Sequence, residues 1–255
     1  AVSTLNSPFF VDLRDGALEA ADKAGLGITV ADAQNDPNRQ LSQIENFIQQ
    51  GVSIILVNPC DSAAIVPAIK AANKANIPVI TVDRGADGGE VVCHIASDNV
   101  EGGRMAGEFL AKLVDYKGKL VELEGIPGTS AARDRGAGFN EVIKKYPDIK
   151  IVARQEAGFD RAKGMTVMEN ILQAQPEIDG IFCHNDEMAL GALRAVEAAG
   201  RLSAIKIVGF DATDDAVKLV KDGKLVATVA QKPRVMGSMA VETAKQVLDG
   251  VKVDE

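Results

Sequence analysis

Asp83 and Arg84 close the stretch Ile77-Pro78-Val79-Ile80-Thr81-Val82, an apolar and β-branched run that stops on two opposite charges. A carboxylate only accepts hydrogen bonds, whereas a guanidinium offers five N–H donors in a fixed fork. Together they suit a ligand whose every polar group both donates and accepts, such as a polyol. The plain alternative is a solvated strand-to-loop junction. A run that is apolar on both faces belongs to a parallel sheet covered by helices, and such sheets bind ligands beyond the carboxyl ends of their strands.

Other strand ends carry residues of the same kind: Phe9 and Phe10, Asn58, Asp98 and Asn99, Arg135, Phe159 and Asp160, Asn185, Phe210 and Asp211, and Gln231. Four of the eight phenylalanines fall in these edges. A phenylalanine at a wet edge needs an apolar partner, and the C–H face of a sugar ring would serve. Catalysis would need more. His94 and His184 have no second histidine at metal spacing. Gly125-Ile126-Pro127-Gly128-Thr129-Ser130 opens a helix and could hold an anion there. It lacks the lysine of a phosphate loop and reads as a plain turn. Cys60, Cys93 and Cys183 form no C-x-x-C pair and read as small apolar fillers. No G-x-S-x-G is present. The set reads as a binder without catalytic residues, metal or cofactor.

These residues must be held by a frame. The 255 residues are 46% hydrophobic and 25% charged, with a net charge of −8, which is ordinary for a globular chain and unlike a nucleic-acid surface. No apolar run approaches the roughly 18 residues of a membrane span. Turn signals and periodicity give strict alternation of strands and helices. Strands are expected at Gly27–Ala31, Val52–Val57, the Asp83 run and Val91–Ile95. More follow at Leu120–Leu123, Ile149–Ala153, Ile181–Cys183, Ile205–Phe210 and Val226–Ala230. Helices begin at Asn6-Ser7-Pro8, Asp36-Pro37 and Asp61-Ser62, and the last runs from about Val235 to Leu248. Phe9 and Phe10 are adjacent, so one is expected to face the loop edge. Ala1-Val2-Ser3-Thr4 reads as the tail of a strand whose start, with any leader, precedes this numbering. About ten strands is many for one twisted sheet. The expectation is therefore α/β, doubly wound, as two similar lobes with about five parallel strands each.

At this point a family is recognisable. Ser3-Thr4-Leu5-Asn6, Pro8-Phe9-Phe10, Ile77 to Arg84 and Ser97-Asp98-Asn99 resemble the periplasmic sugar-binding proteins of bacterial ABC transporters, closest to the ribose binders. So do Thr129 to Gly136, Asn185 to Ala192, Val208-Gly209-Phe210-Asp211 and Ala230-Gln231. The resemblance implies two Rossmann-like lobes, 1–97 with 232–255 and 98–231, closing on a monosaccharide through a three-crossing hinge. Crossings near Ser97-Asp98 and Gln231 are implied, with the third beyond the last helix. Phe9, Phe10 and Phe159 would line the sugar ring, with Phe210 beside them. Asp83, Arg84, Arg135, Asn185, Asp211 and Gln231 would bond its hydroxyls. The implied partners are ribose, an ABC permease and a chemoreceptor, for a monomer working in the periplasm or, as an anchored lipoprotein, outside a single-membrane cell. Ser7 stands where these proteins usually carry an asparagine that touches the sugar, His184 where they carry a glutamine, and Ala212 where they carry a glycine. These departures leave open another sugar such as allose. Lac-type repressors share the two-lobe core behind a DNA-binding head, which makes a headless repressor core the alternative.

Overall fold

The computed structural model describes residues 1–253. The residues divide into two compact units. Unit 1 comprises Ala1–Ser97, the short piece Gly128–Ser130 and the chain from Lys232; unit 2 comprises Asp98–Pro127 and Ala131–Gln231. The end of the expected first lobe, Asp254 and Glu255, lies outside the described residues.

Unit 1 is built on the parallel strands β1 (Ile55–Val57), β2 (Val79–Val82) and β3 (Cys93–Ile95), in that spatial order. β2 alternates as a strand covered on both faces must. Ile80 and Val82 pack with Phe9, Phe10 and Leu13 of α1 (Pro8–Ala24) and Met236 of α9 (Pro233–Leu248). Val79 packs with Ile44 and Phe47 of α2 (Pro37–Gln49) and Ile69 of α3 (Val66–Lys74).

Unit 2 holds β4 (Gly118–Glu124), β5 (Ile149–Glu156), β6 (Gly180–Cys183), β7 (Lys206–Asp211) and β8 (Ala227–Ala230), all parallel, in the order β5-β4-β6-β7-β8. The chain winds one way from β4 to β5 and the other way from β6 onward. The switch point therefore lies between β4 and β6, where open sheets place their ligands. Leu120, Phe182, Val208 and Phe210 face Leu110 of α4 (Asn99–Leu113) and Phe139 of α5 (Ser130–Ile143). Val121, Ile181 and Ile207 face Met168 of α6 (Arg161–Ala174) and Met188 of α7 (Asp186–Ala198). The short α8 (Asp214–Lys221) completes the series.

Three expectations need correction. Among the described residues there are eight strands, three and five, rather than ten. The missing members are the first segment and Gly27–Ala31. A strand is defined by its ladder partner, and here the partner is Val2 alone, in a single parallel bridge to Asp32. Beside that bridge runs an apolar groove of about 410 Å³ lined by Val30, Ile54, Leu56, Leu13 and Val241. Second, the helix expected from Asp61-Ser62 starts at Val66. The Asp61 carboxylate accepts from the N–H groups of Ala63 and Ala64 and closes a turn ahead of it. Third, Phe9 and Phe10 are both only 5% exposed, meeting edge to face with centroids 5.1 Å apart. The first turn of α1 is covered from two sides, by the sheet and by α9, so adjacent positions both find apolar partners.

Candidate functional site

In unit 1 the central strand ends on a left-handed residue. Asp83 has φ +65°, a region aspartate enters more readily than most side chains. Asn58, just past β1, fixes it: Nδ2 donates to Val82 O at 3.0 Å and to Asp83 Oδ2 at 3.2 Å, while Oδ1 accepts from Ser3 N at 3.2 Å. One buried amide thus joins three chain segments. Arg84 Nε lies 3.9 Å from Asp83 Oδ2, its Nη1 donates to Pro59 O at 3.4 Å, and its guanidinium stands 5.1 Å from the Phe10 ring centroid. Asp83 and Arg84 are each 3% exposed. Two opposite charges sealed from water are held for their mutual attraction or for a partner, since desolvation alone is costly. Ser7 is the N-cap residue of α1, yet its hydroxyl makes no capping bond. The helix start rests on its carbonyl, which accepts from Phe10 N and Val11 N.

In unit 2 the corresponding set comes from five elements. Arg135 of α5 donates from Nε to Asn99 Oδ1 at 2.8 Å and from Nη1 to His184 O at 2.6 Å. Its Nη1 also lies 3.6 Å from Asp211 Oδ1 at the end of β7. The guanidinium covers the Phe210 ring at 3.9 Å and stands 5.8 Å from that of Phe159. Gln231, just past β8, donates from Nε2 to Asp211 Oδ1 at 2.7 Å, whereas its buried Oε1 has no protein donor. Asp211 again sits at positive φ, +118°, followed by Ala212 at +56°. Phe210 is 1% exposed and presses against Gly102 of α4, so it forms the floor under Arg135. Phe159 follows Gly158 in a left-handed turn. Its ring lies 2.1 Å from where a Cβ on Gly125 would be, so only glycine fits there. Asn185 caps α7, with Oδ1 accepting from Met188 N at 3.0 Å and Nδ2 donating to Phe159 O at 3.3 Å.

Beneath these residues lie groups that sequence reasoning missed. Asp186, 0% exposed, accepts from Thr213 N (2.8 Å), Thr213 Oγ1 (3.1 Å) and Thr228 Oγ1 (2.7 Å), and so pins the turn after Asp211. Burial pushes its carboxyl up to about 6 although these donors oppose the rise. Glu122, also 0% exposed, accepts from Asn140 and Arg154 and pairs with His184 Nε2 at 3.0 Å. Burial works to raise it, but the bonds from His184 and Asn140 and the charge of Arg154 outweigh that and hold it below the usual carboxylate range. A signal for Glu122 exists in the sequence: it interrupts the run Leu120-Val121-Glu122-Leu123 on the same face as Leu120.

Each unit therefore presents, at the carboxyl end of its sheet, a carboxylate, a guanidinium and an aromatic ring. This arrangement can accept, donate and stack, which is what a polyhydroxylated ring requires. Among the described residues no three His, Cys, Asp or Glu side chains gather as metal ligands, and no helix is long and apolar enough to cross a membrane. Burial raises the Cys60 thiol to about 11 and raises Cys183 further, which leaves both as unreactive thiols.

Residues 1–252 match the model of the periplasmic binding protein domain. The chain is 53% identical over 252 residues to the ribose import binding protein of Escherichia coli K12, covering 99% of this chain and 84% of that one. A solute-binding protein from Bacillus halodurans C-125 with bound myo-inositol superposes with a TM-score of 0.95 at 35% identity, over 99% of this chain and 88% of that one. A periplasmic solute-binding protein from Actinobacillus succinogenes 130z with bound D-allose gives 0.93 at 34%, over 99% and 91%. Two parallel α/β units, charged and aromatic residues at the carboxyl ends of both sheets, and a match over almost the whole chain lead to one assignment: the chain belongs to the periplasmic binding protein family.

Proposed function

We propose that the chain captures ribose outside the cytoplasm and delivers it, as a monomer, to the membrane permease of an ABC importer, with a chemoreceptor as a second partner. Asp83 and Asp211 accept from sugar hydroxyls, Arg84 and Arg135 donate to them, and Asn185 and Gln231 do both. Phe9, Phe10 and Phe159 supply apolar surface. Phe210 acts through the guanidinium that lies on it, and Ser7 offers a hydroxyl that its helix does not use. The observation that carries this reading is the Arg135–Asp211–Gln231 line. A cation stacked on an aromatic ring meets a carboxylate, and the amide that orients this carboxylate keeps a buried acceptor, Gln231 Oε1, bonded to no protein donor. An unmet buried acceptor costs about 1–3 kcal/mol, which a ligand hydroxyl would offset. The ribose importer relative at 53% identity supports the choice of sugar.

Isothermal titration with ribose, allose and myo-inositol tests the proposal. Ribose is expected to bind at micromolar affinity or tighter, about 8 kcal/mol, and more tightly than allose. Absence of heat with all three, together with an unchanged melting temperature, would overturn it. Tighter binding of allose than of ribose would move the assignment to a hexose and point to Ser7 as the cause.

A further inference from the structure

Resting on that reading, we propose that His184 is a positioning residue for the unit 2 ligand set, acting as a neutral imidazole with its proton on Nε2. The ring is 1% exposed and is bonded at both nitrogens. Gly125 N, an obligate donor, points at Nδ1 at 3.4 Å, so Nδ1 is the acceptor. Nε2 then carries the proton and donates to Glu122 Oε1 at 3.0 Å. Glu122 is fixed in turn by Asn140 and Arg154, and this holds the tautomer.

Two proposed ligand residues, Arg135 and Phe159, rest on segments that touch this ring. The backbone carbonyl of His184 accepts the 2.6 Å bond from Arg135 Nη1, so the guanidinium is anchored on the same residue that carries the ring. Gly136, next to Arg135, has its Cβ position 3.2 Å from His184 Cε1 and 3.4 Å from Glu122 Oε1, so this turn of α5 lies directly on the pair. Asn140 ties the same turn to it, donating both to Glu122 and to Gly136 O. Through Nδ1 the imidazole holds Gly125, against which the Phe159 ring rests. A single side chain therefore supports both the turn of α5 that carries Arg135 and the glycine on which the Phe159 ring rests. Glutamine carries the same two functions, an acceptor and a donor, and can replace the imidazole; leucine fills the space with neither.

The test uses the full chain. In wild type, two-dimensional 15N spectra of the imidazole are expected to show the neutral Nε2–H tautomer at pH 7. A doubly protonated ring or the Nδ1–H tautomer would overturn the proposal, and this outcome needs no variant and no sugar. Ribose titrations of wild type, His184→Gln and His184→Leu follow, each below the variant's melting temperature. Gln is expected to bind within about threefold of wild type, and Leu about tenfold to a hundredfold more weakly, the range of one lost charge-assisted hydrogen bond. A Leu variant as tight as wild type, or a Gln variant as weak as Leu, would overturn it. Failure of wild type itself to bind ribose would instead count against the proposed function and leave the spectroscopic test standing.

Discussion

The two units meet the same requirement, an aspartate and an arginine sealed at a sheet's carboxyl end, by different routes. Unit 1 does it with neighbours in sequence: Asp83 turns left-handed at φ +65° and Arg84 follows at once. One neutral amide, Asn58, holds the turn. Unit 2 assembles Arg135, Asp211, Asn99, His184 and Gln231 from five places, and a buried carboxylate, Asp186, holds the turn after Asp211. A local pair is specified by a few adjacent residues. A distributed one depends on how its helices pack: a Cβ at Gly103 would lie 2.2 Å from Arg135 O and one at Gly138 1.9 Å from Val100 O, so glycines let α4 and α5 approach closely enough for Asn99 to meet Arg135. The distributed set should therefore transmit damage further.

The largest expected effect is at Arg135. Arg135→Ala removes a charge bonded to Asn99 and His184 and close to Asp211, and should weaken ribose binding by about 2–5 kcal/mol. It should also lower the melting temperature, because acceptors it served stay buried. Titration and calorimetry on the same sample check this; a loss of binding with unchanged melting would make the distributed set as local as the other.

Next comes the difference between an amide and a carboxylate as the holder of the turn. Asp186 rises from its ordinary 3.8 to about 6 through burial. A raised folded-state pKa means that its contribution is fully present below about pH 4 and is lost as pH rises through about 6, by at most about 3 kcal/mol. Asp186→Asn should flatten that part of the stability profile, measured by urea midpoints at pH 4, 5, 6 and 7. Superimposable profiles for wild type and variant would remove Asp186 from the account. Asn58, a neutral amide with no proton to exchange, adds no such slope through the turn that it holds.

Asp83→Asn keeps the shape and removes the charge opposite Arg84. It should cost about 1.5–3 kcal/mol of ribose binding with a smaller change in melting temperature than Arg135→Ala. Equal losses of stability would end the distinction between local and distributed sets. Smaller again is Ser7→Asn. The Ser7 hydroxyl is not used as a helix cap, so an amide in its place should tighten ribose binding by about 1 kcal/mol, one ordinary hydrogen bond, and weaken allose. Unchanged titrations of both sugars would show that Ser7 does not face the ligand.

The same contrast explains what could be read from the sequence. Asp83 and Arg84 were visible because a strand ended on them. Asp36, Asp160 and Asn185 were legible as loop residues ahead of helices, and all three side chains cap. The α/β class and unit 2's five strands followed from periodicity. What stayed hidden depends on partners far along the chain. Glu122 takes its donors from α5, β5 and the end of β6, and Asp186 takes its donors from the turns before α8 and from β8. Neither set has a local spacing. Gly27–Ala31 failed in the opposite sense: its composition suits a strand, but a strand also needs a neighbour, and only Val2 bridges to this segment, at Asp32. Phe9 and Phe10 are both buried because the sheet and α9 cover two faces of this helix turn, where a single stripe would bury only one of two adjacent positions.

The smallest expected effect tests how the carboxylate of the distributed set is aimed. Both aspartates leave their strands at positive φ, but in unit 1 the chain recovers at Arg84, while in unit 2 Ala212 stays left-handed at +56°. A Cβ in that region crowds the following carbonyl by roughly 1–2 kcal/mol, and alanine has no polar side chain to compensate. Its backbone is held all the same, with Ala212 N donating to Thr228 Oγ1 at 3.1 Å. Ala212→Gly relieves the crowding and adds about 0.4–1 kcal/mol of unfolded-state entropy in return. The first term is the larger, so a net stabilisation of about 0.5–1 kcal/mol is expected by urea unfolding, with ribose affinity unchanged because Asp211 keeps its bond from Gln231. If the variant is less stable than wild type, the entropy term dominates and Ala212 is not strained. If stability rises but ribose binds more weakly, alanine stiffens the turn in a way that Asp211 needs. The departure at this position would then belong to the grip on the sugar, as the one at Ser7 is expected to.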